Sequence, residues 1–215
     1  MHYNEEQFKQ EFPNSKLGQD FLATVPSWIG ISYAPYVDST KFRIPREIVT
    51  TVSVTSFFYI QKLLEKEPTV IADIGCGKNF FKNFIPSIHG IDPIYKEYAD
   101  EVDYFDKDFV QGHQEQFNCA MAINSLHFIN IKNLKDTLKD FAKIIKPGGR
   151  GYITFNLSQI KDKTPTEDWI DNVSDYFKQQ VDSVFTNVLI YDDYINDTKE
   201  ESLDGNIRIV FEKEQ

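Results

Sequence analysis

The stretch TVIADIGCGKNFFKNFIPSIHGID, residues 69–92, carries the reading of the fold. Its short apolar run, Val70-Ile71-Ala72, meets Asp73 and then Gly75-Cys76-Gly77, which predicts a buried strand delivering its C-terminal end into a glycine turn. Gly75 and Gly77 have no Cβ, so the turn can take backbone conformations closed to other residues and let a nucleotide-like group lie against the main chain. A second strand, Ile88-His89-Gly90-Ile91, ends in Asp92, at the spacing where a carboxylate can accept hydrogen bonds from both ribose hydroxyls. A dinucleotide fingerprint would want glycines at positions 75, 77 and 80, and position 80 is Phe, which weakens that reading. An acid two residues before the first glycine, as Asp73 stands, suits instead a ligand with an ammonium group.

Outward from this stretch, the composition sets bounds. A chain of 215 residues can bury a substantial core without staples, so one domain plus an appendage is expected. There is no apolar run near the length of a membrane span, and the N-terminus MHYNEEQFKQ is too polar for a signal peptide, so a cytoplasmic protein is expected. Cys76 and Cys119 fall at apolar strand ends and read as buried thiols, with no disulfide and no cysteine-built metal site. The 23 basic against 33 acidic residues leave a formal charge of −10, a surface that repels a phosphate backbone and argues against nucleic acid as a partner, although a local basic patch such as Lys41, Arg43 and Arg46 could still act.

Residues 1–46 show no sustained periodicity but are rich in aromatics and punctuated by prolines, which predicts a packed cap or lid rather than disorder. The segment 47–215 reads as one α/β domain. Residues 45–67 are roughly helical in spacing, with β-branched residues making their first half ambiguous. Short helices are expected at 79–84 and 95–101, and a third strand at 103–105. A fourth strand, FNCAMAIN at 117–124, leads to the clearest helix, 131–146, which Pro147-Gly148-Gly149 should stop, and a fifth strand covers 151–156. Thr164-Pro165-Thr166-Glu167 has the form of a capped helix start, with the helix reaching about Val181. Strands at 188–195 and 206–212 should close the chain as an antiparallel hairpin at one sheet edge. The repeated strand and helix alternation demands a doubly wound, mostly parallel sheet with helices on both faces.

These residues resemble the class I, Rossmann-like, S-adenosylmethionine-dependent methyltransferases. In that family an acid leads into G-x-G-x-G, and here the third glycine is Asn79, a residue that also tolerates the left-handed region. The pattern from Phe117 through SLHF resembles the family's fourth strand and its loop, and KIIKPGGRGYITF resembles the helix, turn and fifth strand that follow. The resemblance covers most of residues 69–213 and implies a seven-stranded sheet of order 3-2-1-4-5-7-6 with the last strand antiparallel. It departs at Asn118, where an acid is common, and in the short first helices, which look like those of ribosomal RNA adenine-N1 methyltransferases. The cofactor it implies is S-adenosyl-L-methionine, with Asp73, Gly75, Cys76, Gly77, Asp92, Asp106 and Asn124 as the cofactor-binding residues. Asp106 falls eleven residues before Phe117, where the family commonly places the acid that contacts the adenine amino group, with Asp108 as the rival for that place.

His127 follows the fourth strand at the edge where α/β proteins bind ligands, so it is the candidate general base, though a histidine there can also merely line the cofactor. Trp28, Tyr33 and Tyr36 are the candidates for an acceptor-lining lid over the site. The expected activity is methyl transfer, by in-line displacement, to a small or medium-sized acceptor. Two alternatives stay open: a methyltransferase-fold interaction module without catalysis, favoured by Asn79 and Asn118, and an RNA-directed methyltransferase, which the charge disfavours. The motif Asn-Pro-Pro-Tyr of nucleic-acid amino methylation is replaced by Asn124-Ser125-Leu126-His127.

Overall fold

The strand that begins the motif, β1 (Ile71–Ile74), is buried along its whole length. Four successive buried residues, with Asp73 as the one polar member, mark a central parallel strand covered on both faces. In the computed structural model, which describes residues 54–66, 70–83, 85–126, 131–157, 167–196 and 204–215, β1 pairs in parallel with β2 (Ile88–Ile91) on one side and β3 (Phe117–Ile123) on the other. β4 (Ile145–Asn156) continues the parallel set beside β3, and β5 (Asn187–Asn196) and β6 (Asp204–Glu212) add an antiparallel hairpin, giving the order β2-β1-β3-β4-β6-β5.

Alternation along these strands divides the core into two layers. On one face Ile71, Cys119, Met121, Tyr152 and Val210 pack under α1 (Val54–Leu64), which contributes Tyr59, Ile60 and Leu63. On the other, Ala72, Ala120, Ile153, Phe155 and Phe211 meet α2 (Lys107–Gly112), α3 (Leu134–Lys143) and α4 (Glu167–Asp182) through Phe109, Leu138, Phe141, Val173 and Phe177. Phe185 stacks on Phe211 with ring centroids 3.7 Å apart and holds the hairpin to this second layer.

The doubly wound sheet and its closing hairpin agree with the sequence reading, but among the described residues the sheet has six strands rather than seven. Residues 103–105 do not form the third strand. Only the Ile91 and Glu101 pairing survives, with the Asp92 amide donating to the Glu101 carbonyl at 3.1 Å. The physical reason is that one side of the segment has no cover: Val102 and Tyr104 are 50% and 65% exposed, so extending the strand would bury neither of them. The helix expected at 95–101 is a single turn, because Asp92 and Asp100 both draw the backbone back on itself, Asp92 Oδ1 accepting from the Ile94 and Tyr95 amides and Asp100 Oδ2 from the Gly90 amide. The one at 79–84 is a 3₁₀ turn over Phe80–Asn83.

α2 was not expected at all, and Asp106 starts it as N-cap. α3 ends at Lys143, earlier than Pro147. The Pro-Gly-Gly turn lies inside β4, where pairing with β3 jumps from Ile145 opposite Phe117 to Arg150 opposite Cys119. A Cβ on Gly149 would stand 2.3 Å from the Asn118 carbonyl, so this bulge needs glycine. The expected cap at Thr164, the acceptor lid (Trp28, Tyr33, Tyr36) and His127 lie outside the described residues.

Candidate cofactor site

Gly75, Gly77 and Asn79 have φ of 71°, 56° and 51°, so all three positions of the motif take the left-handed conformation. Asparagine accepts this backbone with little strain and adds a side chain that glycine lacks. Its Nδ2 donates to the Tyr98 carbonyl at 3.0 Å and to Asp100 Oδ2 at 3.3 Å, bracing the turn against the loop after β2. Gly90 makes room for that brace. A Cβ there would lie 2.4 Å from Asn79 Nδ2 and 2.8 Å from Cys76 Sγ. Asp100 is in turn bonded by Lys82. Burial alone would raise its carboxyl, but that bond and the Gly90 amide hold it below its ordinary range.

Asp73, the penultimate residue of β1, has 3% of its surface exposed, and no hydrogen bond from a described residue reaches its carboxylate. Burial first, and then the neighbouring charge of Asp92, push its carboxyl up to about 7. Two further polar atoms near the turn are buried without partners, Asn79 Oδ1 and Ser125 Oγ. Buried polar groups in folded proteins are almost always paired, so a carboxylate, a hydroxyl and an amide oxygen left over around one turn mark a place for a ligand. Ser125 also closes on the turn from the β3 side: a Cβ on Gly75 would stand 2.4 Å from the Ser125 Cβ. The sequence reading passed over Ser125, because nothing in its local pattern shows that it abuts a glycine fifty residues earlier.

Asp92 is buried at the end of β2 and already engaged. Its Oδ2 accepts from the Gly77 amide at 2.9 Å and its Oδ1 from the Ile94 and Tyr95 amides at 2.8 and 2.9 Å. Of the roughly four lone-pair sites of a carboxylate, about one stays open. Beside it Ile94, Tyr95 and Tyr98 are exposed and offer apolar surface to a flat ring.

Asp73, Gly75, Gly77, Asp92 and Asn124 therefore converge at the carboxyl ends of β1, β2 and β3, where open α/β sheets bind ligands. Asn124, with φ of 49°, locks β3 to β4: its amide donates to the Thr154 carbonyl and Oγ1 at 3.3 and 3.2 Å, and Thr154 Oγ1 donates back to its Oδ1. Cys76 is a packing residue with its thiol pushed up to about 12 by burial and then by the charges of Asp73 and Asp92. Its share in the turn is the backbone, with the Gly75 and Cys76 amides donating to the Ile91 carbonyl at 2.8 and 3.2 Å. Asp106 stands at the head of α2, its Oδ1 accepting from the Asp108 and Phe109 amides at 3.0 Å. Among the described residues no three His, Cys, Asp or Glu side chains are grouped to hold a metal, and no helix is long and apolar enough to cross a membrane.

No protein-family model matches the sequence, and no curated protein sequence matches it. Solved structures do match. An S-adenosylmethionine-dependent methyltransferase from Archaeoglobus fulgidus superposes with a TM-score of 0.53 at 14% identity, covering 81% of this chain and 97% of that one. A Listeria monocytogenes protein assigned to the same class superposes with a TM-score of 0.50 at 12% identity, covering 76% of this chain and 100% of that one. At such identities the likeness is one of fold. The chain has the class I S-adenosylmethionine-dependent methyltransferase fold, less its third strand.

Proposed function

We propose that this chain is an S-adenosylmethionine-dependent methyltransferase acting on a small or medium-sized acceptor. The observation that carries the reading is Asp73, a buried carboxylate with no donor among the described residues, placed two residues before the first glycine of a turn whose three motif positions are all left-handed. An ammonium group on a ligand is the partner such a carboxylate lacks, and Ser125 Oγ is positioned at the same turn to accept or donate one bond more. Asp92 takes the ribose, the apolar strip of Ile94, Tyr95 and Tyr98 flanks the adenine, and Asp106, from the head of α2, receives its amino group.

The bound cofactor supplies a sulfonium methyl that is already activated. What remains for the chain is to hold the acceptor atom in line near the methyl, to keep water out and to remove a proton where the acceptor carries one. We assign the proton to His127. The lid falls to the segment before α1, through Trp28, Tyr33 and Tyr36. Support for that placement is the direction of α1. The Leu63 carbonyl accepts from Cys119 Sγ low in the sheet, while Ser56 lies against the Tyr152 hydroxyl and Tyr59 reaches Asp192, nearer the carboxyl edge. The described chain therefore enters α1 from the edge at which the glycine turn stands.

The test is direct binding to the full chain. S-adenosylmethionine and S-adenosylhomocysteine are expected to raise the melting temperature, with a stabilisation of about 2.7 kcal/mol at a hundred times the dissociation constant. No shift with either at millimolar concentration would return the fold to the reading of an interaction module, and a shift with NAD alone would make it a dinucleotide-binding protein.

A further inference from the structure

The sheet face under α1 is apolar through its middle and turns charged in the last row before the carboxyl edge. Level with Asp73, the neighbours across successive strands are Met121, Tyr152, Val210 and Ile190. One step outward the row reads Ile123, Thr154, Arg208 and Asp192. Arg208 is 7% exposed, and its Nη1 donates to Asp192 Oδ2 at 2.8 Å. Tyr59 of α1 donates its hydroxyl to the same oxygen at 2.6 Å and sets its ring 5.9 Å from the guanidinium. Burial first, and then Asp192, push the Tyr59 hydroxyl far above its ordinary range, so it remains a neutral donor.

A buried cross-strand ion pair is a poor device for stability alone, because desolvating two charges offsets their attraction and an apolar pair of similar volume does as well or better. Val210 and Ile190, one row inward, are such an apolar pair. The guanidinium has five N–H donors, and within the described residues one of them is used, on Asp192. Its position is also telling. Thr154 beside it exchanges hydrogen bonds with Asn124, and the next residue, Ser125, abuts Gly75, so Arg208 stands on the same edge as the glycine turn and on the same face as Asp73. Arg150, by contrast, lies inward along β4 and is spent on Glu65, Glu212 and the Lys62 carbonyl.

We propose that Arg208 is an oxyanion-binding residue that recognises a carboxylate or phosphate group on the methyl acceptor, with Asp192 and Tyr59 as positioning residues that fix one edge of the guanidinium and leave the other edge for the ligand. A planar fork of this kind suits both oxyanions. The word acceptor rests on the methyl-transfer reading above. The oxyanion site does not.

The experiment uses the full chain saturated with S-adenosylhomocysteine, and calorimetry with three aromatic probes of matched size, 4-hydroxybenzoate, phenyl phosphate and 4-hydroxybenzamide. At least one oxyanion is expected to bind about tenfold or more tightly than the uncharged amide, the loss of a charged hydrogen bond setting the scale. Which of the two binds better names carboxylate or phosphate. The paired variant Arg208→Gln with Asp192→Asn removes both charges without orphaning either, and is expected to keep S-adenosylhomocysteine affinity within about twofold while erasing the preference. Equal binding of the amide, no binding of either oxyanion at millimolar concentration, or a preference that survives the paired variant would overturn the proposal. The parent comparison decides even if the variant does not fold. Should S-adenosylhomocysteine fail to bind while the oxyanion preference holds and depends on the pair, the cofactor reading falls and the oxyanion site stands.

Discussion

Replacing Asp73 by Asn removes a buried charge that no described residue pairs, so the ligand-free protein should become more stable near pH 8 while S-adenosylmethionine binding weakens. The sign follows from the shift. The ordinary carboxyl value is 3.8 and burial raises it to about 7, so the stability this group contributes is fully present below about 3.8 and is lost as pH rises through about 7. Denaturant melts of the parent at pH 5 and pH 8 should show this fall, and the Asn variant should flatten it. Cofactor affinity runs the other way, rising from about pH 6 to pH 8 as the carboxylate forms, and a pH-independent affinity would remove Asp73 from the ammonium site. Asp92→Ala should cost both binding and folding, because the Gly77, Ile94 and Tyr95 amides lose their acceptor, on the order of 1–3 kcal/mol for a group left unpaired. An Asp92→Ala protein that melts like the parent yet binds no cofactor would confine Asp92 to the ribose. Both acids were legible in the sequence because a carboxylate at the end of an apolar strand needs a reason. Ser125 and Arg208 were not, since what makes them notable is a neighbour far along the chain.

Among the elements, the turn and β2 are coupled through one substitution. Asn79 stands at the third motif position and Gly90 faces it, so Gly90→Ala should destabilise by roughly 1–3 kcal/mol through overpacking. Combined with Asn79→Gly, part of that cost should be relieved, leaving the contact with Cys76 Sγ. Urea melts of the two single variants and the double variant measure the coupling, and strict additivity would show that the two residues do not compete for space. Helical periodicity made α3 readable and glycine spacing made β1 readable. The missing third strand was not, because Tyr104-Phe105 has strand-like composition and only the exposure of Val102 and Tyr104 shows that extension would bury neither of them. α2 is hidden for the converse reason: in sequence Asp106 looks like the end of a strand, whereas its carboxylate is an N-cap.

For the molecule as a whole, the direction of α1 bears on what residues 1–46 do. Deleting residues 1–40 should leave a folded chain that binds S-adenosylhomocysteine with little change but no longer methylates its acceptor, since all six strands of the described sheet and the described helices on its two faces lie from α1 onward. Insolubility of the shortened chain would instead assign that segment to the core, and unchanged turnover would remove it from the acceptor site. The sequence by itself determined the class of fold and the place of the cofactor turn, because strand alternation, the glycine spacing and the two acids are local signals that survive without a structure. Only the tertiary structure decided that residues 103–105 add no strand to the sheet, that Asn79 works as a brace, that Ser125 closes on Gly75, and that Arg208 and Asp192 lie buried on the face and edge that Asp73 shares. Each of these depends on residues from different strands meeting across the sheet, and burial and pairing at that range are set by the register of the strands rather than by any run of neighbouring residues.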